Sequence, residues 1–238
     1  MENLKKLREF NLKETKKKVK ESVTDSLLIV QSVNHIEDLN KVINILIKDL
    51  REWYSYYNPE FSKQTIEHEE FVNSILNQKD KKIKESMGGD LKKEDLEPLL
   101  KLCKQINELY KFKITQEKYL ETIMEKTCPN ITAIATYFIG AKLIQHAGSL
   151  RRLILMPSST VQLLGAEEAL FRHIKTGARC PKYGVLHNHP LISKVDRKDV
   201  GKVARTLASK ISIASKVDYG KGKFIGDKLL KEIEEKFK

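Results

Sequence analysis

Apolar residues recur at steps of three and four through the first part of this chain. From Val23 onward, Leu27, Val30, Val33, Ile36, Leu39, Ile43, Leu46, Leu50 and Trp53 wind a narrow stripe along one side of a helix. No proline precedes Pro59 and no glycine precedes Gly88, so the pattern predicts one long helix through most of that stretch. YYNPEF at 56–61 breaks it, IEHEEFVNSIL predicts a second helix, and residues 79–98 form a charged, glycine-containing excursion. A third periodic run, Leu99, Leu102, Ile106, Leu109, Lys113, Leu120 and Met124, ends before Pro129. Two apolar stripes joined through a loop-rich tip predict an antiparallel coiled coil, with a 30-residue arm about 45 Å long at 1.5 Å per residue. Leu28, Val42, Ile45 and Ile47 widen the stripe beyond a two-stranded seam, which predicts a second copy packed there. Leu39, Ile43, Leu46, Leu50 and Leu109 are the dimerisation candidates. An ordinary three-helix domain, with the extra apolar surface as core, is the plainer alternative.

The texture changes at Asn130. Ala133, Ala135, Gly140, Ala141, Ala147 and Gly148 allow close helix approach, so residues 129–238 read as a compact helical domain after a helical domain at 1–128. The fold class is all-α. In MPSSTVQLLGAEEALF, Ser158, Ser159 and Thr160 are capping candidates, and Gly165 breaks the chain before a helix with Glu167 and Glu168 in its first turn. Arg172 and Lys175 suit that helix's other end. A basic, aromatic loop follows, ARCPKYGVLHNHPLI, then a helix predicted to bury Val203, Leu207, Ile211 and Ala214. Lys198, Lys202, Arg205, Lys210 and Lys216 decorate that helix, and only Asp199 is acidic between Lys198 and Lys216.

Charge makes this arrangement informative. The 44 Lys and Arg outnumber 32 Asp and Glu, a net charge of +12. From Leu150 to Lys238 there are 19 basic against 9 acidic residues, so almost the whole surplus lies in the second domain. Unpaired cations on a rigid helix are what phosphate contacts require. Tyr183, His187 and Asn188 between basic elements suit exposed RNA bases, which are held by ring stacking and amide hydrogen bonds. The contiguous His187-Asn188-His189 also invites a metal-dependent nuclease reading, although no acidic or cysteine ligand accompanies it. GKGKFIG at 220–226 lacks Walker order, and no nucleophile, base and oxyanion set emerges. The reading is therefore non-enzymatic, without cofactor or metal. Cys103, Cys128 and Cys180 are too few and too dispersed for a disulfide framework, which suggests a reducing interior. The most apolar run, ITAIATYFIGAKLI, is interrupted by Lys142, and neither a signal peptide nor a membrane span is expected.

An ordered series of segments carries a resemblance over nearly the whole chain: VNHIEDLNKVINILIKDLREWYSYYNPEF, KESMGGDL, CPNITAIATYFIGAKLIQHAGSLRRLILMPSSTVQLLGAEEALFRHIKTG, PKYGVLHNHPLI and ASKVD. They resemble the Nop-domain family, the scaffold proteins of box C/D RNA methylation particles and their spliceosomal relatives. The resemblance implies a non-catalytic protein that binds the composite surface of a kink-turn guide RNA and the small ribosomal-protein-like protein seated on it. It implies homodimerisation through the coiled coil, and a cytoplasmic setting in an archaeal cell without a nucleus. It also implies fibrillarin as a partner, which performs 2′-O-methylation with S-adenosylmethionine. The family's full-length archaeal members hold fibrillarin by a separate domain ahead of the coiled coil, and these residues are expected to begin at the coiled coil.

The RNA-facing candidates follow. On the turn and helix they are Gly165, Ala166, Arg172 and Lys175; in the loop, Arg179, Lys182, Tyr183, His187 and Asn188. Along the basic helix they are Lys198, Lys202, Arg205, Lys210 and Lys216. Glu168 departs from the family pattern, which has lysine after GAE, while Glu167 is expected to organise the helix start.

Overall fold

The computed structural model describes residues 2–77 and 86–237, and among them there is no strand. Residues 79–85 of the expected charged excursion lie outside the described residues. The first helices are α1 (Glu2–Ser22), α2 (Asp25–Ser55), α3 (Pro59–Gln64), α4 (His68–Leu76) and α5 (Lys93–Thr127). Contacts divide the chain into two units: His35–Lys118, and a discontinuous one made from the residues up to Asn34 and those from Tyr119 onward.

The expected single helix is broken at Val23 and Thr24. There the Thr24 carbonyl accepts from Leu27 N (2.9 Å) and Leu28 N (3.3 Å) to start α2. No glycine or proline marks the break. It separates α1, whose Leu4, Leu7, Phe10, Leu12 and Val19 are all exposed, from a helix with a buried face. A helix without packing has little beyond its own propensity to hold it. Helix α5 begins at Lys93, ahead of the expected start at Leu99, and carries Pro98 inside it. Pro98 lacks the N–H that would bond the Glu94 carbonyl and its ring crowds that carbonyl, a local cost that the rest of this 35-residue helix outweighs.

In the His35–Lys118 unit, Ile43, Ile47, Leu50 and Tyr54 of α2 meet Phe71, Val72 and Ile75 of α4 and Leu99, Cys103 and Ile106 of α5. The third helix explains the wide apolar stripe. Ile47 is 0 % exposed, so it belongs to this chain's own core and leaves the set predicted to meet a second copy. The dimerisation candidates move for the same reason. Leu39, Ile43 and Leu50 are 8 %, 2 % and 0 % exposed, while Leu46 and Leu109 pack partly buried against the same core. Val42, Ile45 and Trp53 of α2 and Leu100, Phe112 and Ile114 of α5 are among the apolar residues left open. Arg51 ties the connection ahead of α4 to α2. It donates to the Ser62 and Ile66 carbonyls (2.9 and 3.0 Å) and to His68 Nδ1 (3.0 Å), with its guanidinium over the Phe71 ring.

The discontinuous unit continues through α6 (Pro129–Ala135), α7 (Tyr137–Ala147), α8 (Leu150–Leu155), α9 (Ser158–Leu163) and α10 (Glu167–Thr176). After a 3-10 turn at Val185–Asn188 come α11 (Pro190–Ser193), α12 (Val200–Tyr219) and α13 (Gly226–Lys236). Helix α12 is the axis, packing against α6, α8 and α9 through Val203, Leu207, Ile211 and Ala214, the face its apolar spacing predicts. The start of α2 belongs here too. Ser26 Oγ accepts from Leu150 N (2.8 Å), and Gln145 Nε2 donates to Asn34 Oδ1 (2.7 Å). The expected boundary at 128/129 therefore falls inside this unit.

A buried polar joint holds α6, α12 and the start of α13. The Asp218 carboxylate accepts from Asn130 N (3.1 Å), Asn130 Nδ2 (2.7 Å) and Ile131 N (2.9 Å), satisfying the open amides at the start of α6. Asn130 Oδ1 in turn accepts from Ile225 N (2.6 Å). Burial raises the Asp218 carboxyl above its ordinary value, and the three donors pull it back only in part.

Candidate nucleic-acid interface

The turn between α9 and α10 is shaped by Gly165. Its φ of +86° lies in the left-handed region, and a Cβ there would come within 2.5 Å of Val185 Cγ2. Its N–H donates to Glu167 Oε1 (2.8 Å), and the same oxygen lies 3.6 Å from His146 Nδ1. Glu167 thus organises the helix start, as its position implies. Ala166 is the N-cap residue and offers no side-chain bond. Glu168 points to solvent from the first turn.

Helix α10 buries none of its residues. Arg172 and Lys175 are exposed, but so are Phe171 (62 %) and Ile174 (69 %), which sequence reasoning did not single out. Their three-residue spacing looks like a core signal, and only tertiary packing reveals that none of the described residues covers it.

The loop after α10 is stitched to α9. Gly184 N donates to the Gln162 carbonyl (3.0 Å), Val185 N to the Leu164 carbonyl (2.7 Å), and Gln162 Nε2 to the Lys182 carbonyl (2.6 Å). A Cβ at Gly184 would overlap the Leu164 carbonyl oxygen, so only glycine lets the two strands of chain approach this closely. The candidates on the turn and in the loop are therefore brought together. Beside the stitch, the Tyr183 and His187 rings stack at 4.8 Å with an interplanar angle of 8°. His187 and Asn188 are exposed and Tyr183 is half-buried.

His189 parts company with its neighbours. It is 3 % exposed, its Nε2 donates to the Ile134 carbonyl (2.7 Å), and its Nδ1 accepts from Leu191 N (3.2 Å). Both nitrogens are committed to one neutral tautomer, and burial lowers the imidazole's proton affinity. His189 is a structural residue, which removes it from any metal-ligand set. Among the described residues no cluster of three or more His, Cys, Asp or Glu is placed to hold a metal ion.

On α12 the exposed positions Lys202, Arg205, Ser209, Ile213 and Lys216 fall at steps of three and four, and so form one continuous stripe. Of the five cations expected on this helix, Lys198 falls in the turn before its start at Val200, and two carry partners. Lys202 Nζ lies 2.8 Å from Asp199 Oδ1, and Lys210 pairs with Glu232 of α13, whose carboxyl it holds below the usual range. Lys210 lies beside the stripe rather than on it, which spends its charge within the fold. Lys198, Arg205 and Lys216 form no ion pair among the described residues. The structure adds Arg197, which sequence reasoning missed. It lines an open cleft with Arg179, Cys180, Pro181, Lys182 and Tyr183. Its only signal in the sequence was adjacency to Lys198.

A family model described as "Nop: snoRNA binding domain, fibrillarin" matches residues 35–238. The chain belongs to the Nop family. A protein described as an uncharacterized NOP5 family protein from Methanocaldococcus jannaschii is 38 % identical over 252 residues, covering 96 % of this chain and 61 % of that protein. Nucleolar protein 58 of Dictyostelium discoideum is 34 % identical, and nucleolar protein 56 of Caenorhabditis elegans 36 %. Each covers 80 % of this chain, and respectively 33 % and 45 % of the relative. The chain thus spans less than two thirds of the length of each of these relatives. Among solved structures, a crystal structure titled as a fibrillarin/Nop5p complex is similar with a TM-score of 0.60 and 28 % identity, over 98 % of this chain and 77 % of that one. No described helix of this Nop protein is long and apolar enough to cross a membrane.

Proposed function

We propose that this Nop protein is a non-catalytic scaffold of a box C/D guide particle for 2′-O-methylation of RNA. It seats on the composite surface of a kink-turn guide RNA and the ribosomal-protein-like protein bound to it. A second copy packs on the open apolar surface of the His35–Lys118 unit, where Val42 and Ile45 are exposed. Fibrillarin is the methyltransferase partner, and S-adenosylmethionine chemistry belongs to it; the setting is a reducing cell interior. The observation that carries the reading is the exposed α12 stripe of a family whose model is described as snoRNA binding. There Arg205 and Lys216 stand without acidic partners among the described residues.

Phosphate neutralisation supplies encounter and salt-sensitive affinity but little choice between RNAs. Choice comes from the shape of the surface completed by the partner protein. A gel-shift matrix of kink-turn RNA, kink-turn protein and this chain in all combinations tests this. Tight binding is expected only with all three present. Arg205→Ala is expected to weaken that assembly by about 1–3 kcal/mol and leave the fold intact. Equal affinity for any duplex, with or without the partner protein, overturns the reading.

A further inference from the structure

We propose that the cleft between the Arg179–Tyr183 segment and Arg197 is a single-nucleotide subsite. An RNA phosphate sits among Arg179, Lys182 and Arg197, and the adjoining unpaired base lies against the Tyr183–His187 ring pair. The proposal rests on the RNA-scaffold reading and deepens it by naming a strand state and a residue outside the α12 stripe.

The cleft has a volume of about 690 Å³ and is lined by three cations, a tyrosine, a cysteine and a proline, with no carboxylate. The nearest acidic groups in sequence are turned elsewhere. Asp199 is paired with Lys202, and Asp196 lines a different cleft with Lys194, Lys236 and Phe237. Arg179, Lys182 and Arg197 form no ion pair among the described residues, and all three are exposed. Two guanidinium forks and an ammonium facing one open space repel each other unless an anion stands between them, and a planar fork matches phosphate oxygens in pairs.

The second observation is the ring pair at the same loop. Tyr183 lines the cleft and stacks nearly parallel on His187. This makes a two-ring platform whose height is fixed by the Gln162 bond to the Lys182 carbonyl and the seating of Gly184 against Leu164. Cations beside a stacked aromatic platform hold a backbone phosphate and a base face together. Bases in a duplex are already stacked on each other, so the platform selects unpaired nucleotides with little preference among bases.

The test uses the full chain and fluorescence anisotropy with a labelled single-stranded RNA hexamer, the same sequence as a duplex, and inorganic phosphate as competitor. Wild type is expected to favour the single strand, with phosphate competing only weakly. Arg197→Ala should weaken the single strand several-fold and lower the salt slope of log K by about 0.7, one phosphate's worth for single strands. Tyr183→Ala should weaken it by about tenfold with the slope unchanged, and Tyr183→Phe should bind as wild type. The subsite is overturned if both alanine variants bind the hexamer as wild type does, if the duplex is preferred, or if phosphate displaces the RNA as readily as RNA does. Parallel kink-turn assembly separates the two ideas. Wild type that assembles while the hexamer arm fails keeps the scaffold and loses the subsite. Wild type that fails to assemble removes the scaffold reading, and a hexamer that binds as expected still supports the pocket's chemistry.

Discussion

Replacing Asp218 by alanine removes the acceptor of three buried N–H groups: Asn130 N, Asn130 Nδ2 and Ile131 N. A buried donor without an acceptor costs about 1–3 kcal/mol. The low end applies, because the same change relieves the unfavourable burial of a carboxylate and makes room for water. Three donors at about 1 kcal/mol each give a loss of about 3 kcal/mol, or about 6–12 °C in melting temperature for a chain of this size. Asp218→Asn should cost about half as much. Its remaining oxygen can serve both Asn130 donors, while its amide faces the Ile131 N–H and loses that bond. Thermal unfolding followed by circular dichroism measures both. The pH dependence gives a second check. The native Asp218 carboxyl is raised above 3.8, so the folded state binds the proton more tightly than the unfolded one, and wild type gains stability as pH falls from neutral through the raised native value. Asp218→Asn lacks that gain, so its deficit relative to wild type should widen on acidification. An Asp218→Ala protein that melts within about 2 °C of wild type would refute the joint as a stabilising element.

Gly184→Ala forces a methyl into the Leu164 carbonyl, so it should displace the loop and lower RNA affinity, read by gel shift together with melting temperature. His189 is held neutral with its proton affinity lowered below 6.5, so its contribution is present above 6.5 and lost as pH falls toward the lowered native value. The stability gap between wild type and His189→Gln should therefore be smaller at about pH 5 than at about pH 7.5. In the His35–Lys118 unit, Ile47→Asp should unfold the core it fills, whereas Val42→Asp with Ile45→Asp should keep the helical signal and convert a dimer to a monomer by light scattering. An unchanged mass for the double variant would remove those residues from the dimer surface.

The buried faces of α12 and α5 were legible in the chain because their apolar spacing coincides with what packs against them. On α2 the period was right and the phase slightly off. Ile29, Ile47 and Tyr54 are buried, whereas Leu27 and Trp53 of the predicted stripe are exposed. A helix touched by two partners has a buried arc wide enough to accept either set, and the arrival of α4 is a tertiary fact. The α1–α2 break at Val23 carries no breaker residue, so no local signal announced it. At the candidate interface, Arg205 and Lys216 could be read from unpaired charge on a predicted helix. The separation of Lys210, paired with Glu232 on α13, and the recruitment of Arg197 depend on contacts between segments far apart or in irregular backbone. His189 was ambiguous for a related reason. Its burial, set by α6 through the Ile134 carbonyl, distinguishes it from His187 two residues away.

The discontinuity of the larger unit has a consequence for synthesis. The residues up to Asn34 leave the ribosome before their partners, which lie beyond Tyr119: Ser26 waits for Leu150 and Asn34 for Gln145. The cluster that runs from Ile43 to Ile106 lies within the His35–Lys118 segment and can close while the residues before it still lack their counterpart. Loop-closure entropy rises only slowly with length, so an intervening unit that has already condensed shortens the effective distance the two ends must search. The middle of this polypeptide thus acts as the clasp that lets its beginning find its end.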